Sequence, residues 1–576
     1  MRSLTRGHNA SSSWRMLRIG NASGFYGDRF SAFRELLDGP RLDFITGDYL
    51  AELTMLILGR DRLKDPALGY AKTFLRQMEA CAALIAEKKT KIVVNAGGLN
   101  PAGLARALRA FMTPLGLEVA HVEGDDLVAR ADALGLGQPL TANAYLGAWG
   151  IAACLDAGAH IVVTGRVTDA SLVVGAAASH FHWQRDNWHA LAGAMVAGHV
   201  LECGTQATGG NFSFFKDLDL RHPGFPVAEL FEDGSCVITK QPGSGGAVTR
   251  DTVTAQLLYE VQSARYAGPD ATVRLDTITL SDDGADRVRV SGVQGEPPPP
   301  TYKVCLNHLG GFRNQAIFYL VGLDIEEKAK LIRAQLEAAL PQRPHHLDWS
   351  LVRSDREDAA TEEEATASLR VMVKDPDPKV VGRAFSSVGI ELALGTYPGF
   401  FMTVPPGDGT PFGVYTAAYV AAHEVAHEAV LADGRRIAIA PSVHTLALAE
   451  LEAPAAPAPL PAGATTRAPL GRLAAARSGD KGGSANVGVW VQSEEAWRWL
   501  AHLLTVEKLQ ALLPETASHR VKRYLLPQLR GMNFVIEGLL GEGVASSLRF
   551  DAQAKALGEW LRSRHVDIPV SLLGAG

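Results

Sequence analysis

Between Met16 and Asp169 short apolar runs, rich in β-branched residues, stop at glycine, asparagine or aspartate and hand over to amphipathic stretches. Leu17-Arg18-Ile19 runs into Gly20-Asn21-Ala22-Ser23-Gly24, residues 42–46 into Gly47-Asp48-Tyr49, and Lys91–Val94 into Asn95-Ala96-Gly97-Gly98. Residues 118–122 run into Glu123-Gly124-Asp125-Asp126, and Ile161-Val162-Val163-Thr164 into Gly165-Arg166-Val167-Thr168-Asp169. Such runs suit strands buried on both faces, and the helical stretches between them imply right-handed βαβ crossovers in a parallel sheet. Ligands of such sheets sit outside the carboxyl ends of the strands. The polar residues there, Asn21, Asp48, Asn95, Asp125, Arg166 and Asp169, are the first candidates for a binding or catalytic cleft. Taken singly, each is also what helix caps and turns use; the series is what points to a site.

Helices are expected over 28–37, around Leu53–Leu58, over 66–88 with Pro66 at the start, after Pro101, and over 145–157. The stretch Glu202-Cys203-Gly204-Thr205-Gln206-Ala207-Thr208-Gly209-Gly210-Asn211 reads as a backbone-rich loop able to approach a ligand closely. From about residue 225 the rhythm changes. Hairpins are expected around Asp233-Gly234, between 275–280 and 287–290, and around Asp433-Gly434, with a helix over 325–340 and a solvated acidic helix face over 358–365. Residues 453–464, an Ala/Pro repeat, form an extended linker that cannot pack a core. Beyond it, strands are expected at 470–475, 486–490 and 533–539, and helices at 494–504, 506–513 and 552–562, an order that suits a small ferredoxin-like α+β domain. The fold class is therefore α/β: a disordered tail over 1–15, a mostly parallel α/β domain over 16–215, a mixed α+β region over 216–452, a linker over 453–468 and the small domain over 469–576.

Composition narrows the function. With 47% hydrophobic residues, 20% charged residues and a net charge of −6, the chain is an ordinary globular protein whose main partner is neither nucleic acid nor an anionic membrane. Cys81, Cys154, Cys203, Cys236 and Cys305 are scattered singly, which suits a reducing cytoplasm and gives no zinc knuckle. No apolar leader and no run of about 18 apolar residues is present. The glycines at 20, 24 and 27 do not have dinucleotide-fingerprint spacing, Gly243-Ser244-Gly245-Gly246 lacks a P-loop lysine, and G-x-S-x-G does not occur.

Two motifs carry specific chemistry. His423-Glu424-Val425-Ala426-His427 matches H-E-x-x-H, which binds zinc when a helix puts both imidazoles on one face. Here the residues after Val425 alternate toward a hairpin turn, and in a strand the two histidines stand about 13 Å apart. No zinc is expected. Arg477-Ser478-Gly479-Asp480-Lys481-Gly482-Gly483 sets two cations among glycines, and reads as an anion nest able to hold a phosphate or carboxylate, with Asp480 orienting a cation.

At these residues the chain resembles the acyclic terpene utilisation protein A family. The segments Arg18–Asp28, Thr46–Glu52, Val94–Gly98, Thr164–Asp169, Glu202-Cys203-Gly204 and Thr208–Phe212 carry the likeness, and Arg477–Gly482 resembles that family's appended ferredoxin-fold domain. The resemblance implies a part in the breakdown of acyclic terpenes such as citronellol and geraniol, which runs through branched acyl-CoA thioesters. It brings no reaction and no catalytic residues with it, and H-E-x-x-H lies outside its pattern. The expectation is a cytoplasmic, homo-oligomeric enzyme doing lyase, hydratase or isomerase chemistry on a branched acyl-CoA or hydroxy acid, with CoA entering only as part of the substrate. Glu202 or Asp169 is the expected general base, Arg166 the oxyanion partner and Cys203 an alternative nucleophile, while Gln206, Asn211, Arg477, Ser478, Asp480 and Lys481 help bind substrate. The alternatives are a non-catalytic binding or scaffold subunit and a zinc hydrolase using His423, Glu424 and His427.

Overall fold

The structure is a computed structural model describing residues 15–574. All but Arg15 of the tail expected over 1–15 lies outside the described residues. The chain divides into two units: Met1–Leu306 with Thr416–Gly541 and Gln553–Gly576, and Asn307–Tyr415 with Glu542–Ala552.

The repeated pattern builds the centre of the first unit. Strands β1 (Met16–Asn21), β2 (Phe44–Gly47) and β3 (Lys91–Val94) alternate with helices α1 (Ala32–Asp38), α2 (Glu52–Lys64) and α3 (Lys72–Lys88). Next come α4 (Pro101–Met112), β4 (Val119–Glu123), β5 (Thr141–Ala144), α5 (Trp149–Asp156), β6 (Ile161–Thr164), α6 (Ser171–Phe181) and α7 (Trp188–Glu202). Strands β1-β2-β3-β6-β4 lie side by side and parallel. Successive side chains point to opposite faces, so one run serves two cores. Ile92, Val94, Ile161 and Val163 pack with α1, α3 and α4, whereas Val93 and Val162 pack with α5, α6 and α7. Both faces are thereby dry, which is why these strands are apolar throughout.

Antiparallel strands extend the sheet at both edges. β7 (Pro226–Phe231) pairs with β1 and β8 (Cys236–Lys240) with β7, followed by Val288–Ser291 and Thr279–Asp282. At the other edge the hairpin Glu428–Val430/Arg436–Ala438 pairs with β4. The segment expected as one mixed region over 216–452 is thus split. Its hairpins complete the first sheet, while residues 307–415 belong to the second unit. In that unit the later part of Thr301–Val321, from Phe312, pairs with Thr366–Asp375, which pairs with His346–Val352, and Ile325–Ala339 packs on one face.

Other expectations shift for local reasons. The helix expected from Pro66 starts at Lys72, because Gly69 takes a φ of +105° that a helix cannot hold. Residues 145–148 precede α5 rather than begin it. The acidic stretch 358–365 is a chain of turns with Asp358 at φ +49°, not a helix. Residues 470–475 hold a single 3-10 turn, Leu470–Arg472, and the strands are Thr465–Pro469 and Ala475–Lys481. Among the described residues no helix is long and apolar enough to cross a membrane.

The C-terminal sheet joins the first unit by an unusual face. Ala475–Lys481, Ser484–Trp490, Gly531–Ile536 and Val521–Leu526 pair antiparallel in that order. Ala476, Val487, Val489, Met532, Phe534 and Ile536 point to helices Glu494–Leu503, Val506–Leu512 and Leu557–Ser563. The opposite face carries Arg477, Gly479, Asn486, Gly488, Gly531 and Asn533, and lies on the C-terminal end of α8 (Arg250–Leu257). Asn486 Nδ2 donates to Leu258 O at 3.0 Å, and Asn533 Nδ2 to Val261 O at 2.7 Å. Glycine is needed there: a β-carbon on Gly488 would stand 2.5 Å from Leu258 Cβ. Gly488→Ala should therefore cost about 1–3 kcal/mol of stability in urea denaturation. Gly395→Ala, which meets nothing within 4 Å, is the control and should change stability little.

Candidate active site

The strand ends converge as the alternation predicts. Asn21, at the end of β1, donates from Nδ2 to Leu201 O at 2.7 Å and to Ser23 O at 3.0 Å, tying the last turn of α7 to the sheet. Asn95, after β3, donates to Asp48 Oδ1 at 2.6 Å, while its own Oδ1 accepts from Tyr49 N at 2.7 Å. Asp125, after β4, accepts from the Arg166 backbone N–H and from Asn143 Nδ2, both at 2.8 Å. Gly165 makes this possible, since a β-carbon there would lie 2.4 Å from the Asp125 carboxylate. Asn95 and Asp125 are thus supports, placing Asp48 and Arg166.

Arg166 is buried. Its guanidinium donates to Leu50 O at 2.7 Å, pairs with Asp169 at 3.0 Å and lies over the Tyr145 ring with its carbon 4.3 Å from the ring centre. Facing it is the C-terminal turn of α7, where His199 Nδ1 and Glu202 Oε1 stand 3.0 Å apart. A small cavity of about 10 Å³, room for about one water molecule, is lined by Asn21, Thr46, Asp48, Asp169 and Glu202 among others. Several buried side-chain atoms here make no hydrogen bond: His199 Nε2, Glu202 Oε2, Arg166 Nε, Thr168 Oγ1 and Gln206 Oε1. Buried polar atoms are nearly always satisfied by protein or by ordered water, so these are atoms open to a further partner.

The charges explain the chemistry available. Asp48 and Asp169 share the Arg166 guanidinium, and Glu202 has His199, so three buried carboxyl groups stand beside one permanent cation. Burial, and then the neighbouring Asp169 charge, raise Asp48 well above the usual carboxylate range. Burial lifts Glu202 to about 7 against the pull of His199. Burial works against His199's charge, yet Glu202 raises it overall. Both members of this pair hold a proton more tightly than they would in water. Asp125 is likewise lifted to about 7 by burial. Cys203 is pushed well above its ordinary value by burial and by Glu260 and Glu202, so the thiol keeps its proton and is a poor nucleophile in this state.

The C-terminal sheet supplies cations to the rim, though not as a nest. Residues 477–481 form an edge strand paired with Ser484–Trp490, and the turn is Gly482-Gly483, with Gly482 at φ +60°. What reaches the first sheet are side chains. Arg477 Nη1 donates to Asn211 O at 2.9 Å and its guanidinium lies over the Tyr259 ring at 4.6 Å. Lys481 is near enough for its charge to oppose protonation of His199. Ser478 points to the other face, accepting from Gly558 N at 2.8 Å, and Asp480 pairs with Lys555 at 3.5 Å.

The residues proposed from sequence thus fall into layers. Asn21, Asp48, Asp169 and Glu202 line the cavity, Arg166 adjoins it through Asp169, Asn95 and Asp125 stand behind, Asn211 meets Arg477, and Gln206 sits in the turn after α7. His199, Tyr145 and Glu260 were missed; His199-Val200-Leu201-Glu202, an i,i+3 pair on a helix, was the signal available. Elsewhere, His423 is exposed, while His427 is buried against Gly150, whose added β-carbon would meet its Nε2 at 2.4 Å. Glu424 is taken up by Arg130 at 2.8 Å. Among the described residues no group of three His, Cys, Asp or Glu side chains is placed to hold a metal.

A stability test follows from the proton balance. Glu202 is raised from 4.5 and His199 from 6.5, so the folded form binds protons more tightly than the unfolded form does. The Glu202 contribution should decline as pH rises from about 4.5 to about 7; the His199 contribution, full below 6.5, is lost as pH climbs through its raised value. Stability measured by urea denaturation at pH 5 and pH 8 should show a smaller difference for Glu202→Gln than for the parent chain. An unchanged difference would contradict the raised Glu202 value.

Two regions match known families: residues 17–431 match the acyclic terpene utilisation family protein AtuA, and residues 468–567 its ferredoxin-like domain. Among curated proteins nothing matches the chain. The chain belongs to the acyclic terpene utilisation family AtuA, with that family's ferredoxin-like domain at its C-terminal end, and its role lies in acyclic terpene utilisation.

Proposed function

We propose that the protein is an enzyme of acyl-CoA catabolism that adds or removes water at a branched acyl-CoA thioester. One observation carries this reading: a buried Glu202–His199 pair, lifted by burial to about 7 on the Glu202 side, borders a cavity sized for a single water molecule. General acid–base catalysis works best when the group titrates near the working pH, and a carboxylate in water titrates far below it.

In this reading Glu202 takes the proton from the carbon beside the thioester carbonyl, and the electrons move onto the carbonyl oxygen. As they return to form the carbon–carbon double bond, the C–O bond at the next carbon breaks and the hydroxyl leaves as water with the proton Glu202 took; addition is the reverse. Arg166, with its Nε unpartnered, stabilises that oxygen. His199 holds Glu202 in place through Nδ1 and shares its proton. Asp48 and Asp169 orient the water that is added or expelled. Arg477 and Lys481 hold an anionic group of the substrate at the rim. The substrate is a small molecule, CoA enters as part of it, and no resident cofactor is invoked.

Incubation with a panel of branched acyl-CoA thioesters, followed by mass spectrometry, should show the gain or loss of one water. Glu202→Gln should lower kcat by about 10²-fold or more, the usual scale for loss of a positioned acid–base group. The parent chain's kcat/KM should rise through pH of about 7 on its acidic limb, as Glu202 loses its proton. Full turnover by the variant would remove Glu202 from the mechanism. No mass change with any thioester, together with stable co-purification of pathway enzymes, would favour a binding subunit.

A further inference from the structure

The second unit has a sheet face of its own with a different character. Along Thr301–Val321 and Thr366–Asp375, Ala316, Phe318, Leu369, Val371 and Val373 point into the helical core. The opposite face presents Arg313 directly across from Lys374, and Arg370 across from Ile317. Like charges directly opposite on neighbouring strands repel and destabilise a sheet unless something neutralises them.

Among the described residues nothing anionic does so at contact distance. Arg313 Nη1 donates to Ala545 O at 2.8 Å and Arg370 Nη2 to Leu548 O at 3.0 Å. Lys374 Nζ donates to the backbone and side-chain oxygens of Ser546, both at 2.9 Å. The nearest acids act from further off: Glu542 on Lys374 and Asp348 on Arg370. Burial lowers all three cations below their ordinary values, and Arg313 and Arg370 work against each other. Arg370 Nε is buried without a partner. Elsewhere in this unit the common arrangement is an ion pair, as for Arg343 with Glu337 and Arg353 with Asp355.

The carbonyls all come from one segment, Glu542–Ala552, which has neither helix nor strand. It is entered through Gly541 and Gly543 at φ +59° and +95°, backbone settings that glycine leaves without penalty. A strap that meets three guanidinium and ammonium groups with neutral oxygens leaves their charge unneutralised, whereas an oxyanion brings opposite charge and can take two N–H groups of one guanidinium at once.

We propose that Arg313, Arg370 and Lys374 form an oxyanion site for a phosphate-bearing ligand, which the strap Glu542–Ala552 occupies until that ligand displaces it. The site is separate from the acid–base centre and does not rest on the function read from it. Phe550, 80% exposed with Arg370 stacked on its ring at 5.5 Å, offers a platform for a base if the phosphate belongs to a nucleotide.

Titration of the full chain with inorganic pyrophosphate and with ADP, by calorimetry, tests this. Saturable binding is expected, with ADP tighter if the nucleotide is the source and pyrophosphate equal or tighter if free phosphate is. Arg313→Gln/Arg370→Gln should weaken binding about tenfold or more, whereas Ser546→Ala, which loosens the strap, should strengthen it. Amide exchange over residues 542–552 should speed up when ligand is added. Glu202→Gln should bind as the parent does, and Arg477→Gln/Lys481→Gln should keep the binding that Arg313→Gln/Arg370→Gln weakens. Absence of saturable binding, loss only in the Arg477/Lys481 variant, or exchange that ligand leaves unchanged would overturn the proposal. Should the double arginine variant fail to fold, Ser546→Ala and the exchange measurement decide.

Discussion

Arg166 is the charge on which the centre of this protein depends. A buried guanidinium is costly unless its surroundings are anionic, polar and fixed. Here Asp169 pairs with it, Asp48 adds field, Tyr145 covers one face and Leu50 O takes one N–H. Each of these is itself held: Asp48 by Asn95, and the Arg166 backbone by Asp125, which Asn143 holds in turn. Burial, with the neighbouring Asp169 charge second, accounts for the upward pressure on Asp48 and Glu202. Structure and reactivity at this centre have the same electrostatic cause.

A second constraint is steric. The C-terminal sheet lies on α8 only because glycines stand where its backbone meets Leu258 and Tyr259, and because Asn486 and Asn533 satisfy the carbonyls at the end of that helix. This contact is what brings Arg477 and Lys481 near α7. A domain that could have been an appendage thereby contributes cations to the rim of the cavity.

Much of this was legible in the residues. Apolar runs ending in polar turns specify parallel strands, because only a strand covered on both faces has no use for polar side chains. The convergence of Asn21, Asp48, Arg166 and Asp169 followed from that. The Ala/Pro stretch was recognisable because it cannot bury anything. What misled was local: Gly69 shortens α3, Asp358 turns an acidic stretch that composition favours as helix, and Arg477–Lys481 is strand although its glycines suggest a nest. His199 was hidden inside an apolar helix, where a lone histidine carries no signal until Glu202, one turn on, is seen to face the same way.

The order of polar and apolar residues therefore determined by itself the fold class and the end of the sheet where the polar candidates gather, while the family showed in the particular residues of its motifs. Only the tertiary structure decided which of those residues are buried together, since burial and neighbouring charge, not residue type, set whether a carboxylate holds a proton. It also decided that hairpins far along the chain complete the first sheet, because strand pairing across hundreds of residues leaves no local trace. The layers of the site, with Glu202 and His199 inside and Asn95 and Asp125 behind, exist only once those surfaces have closed.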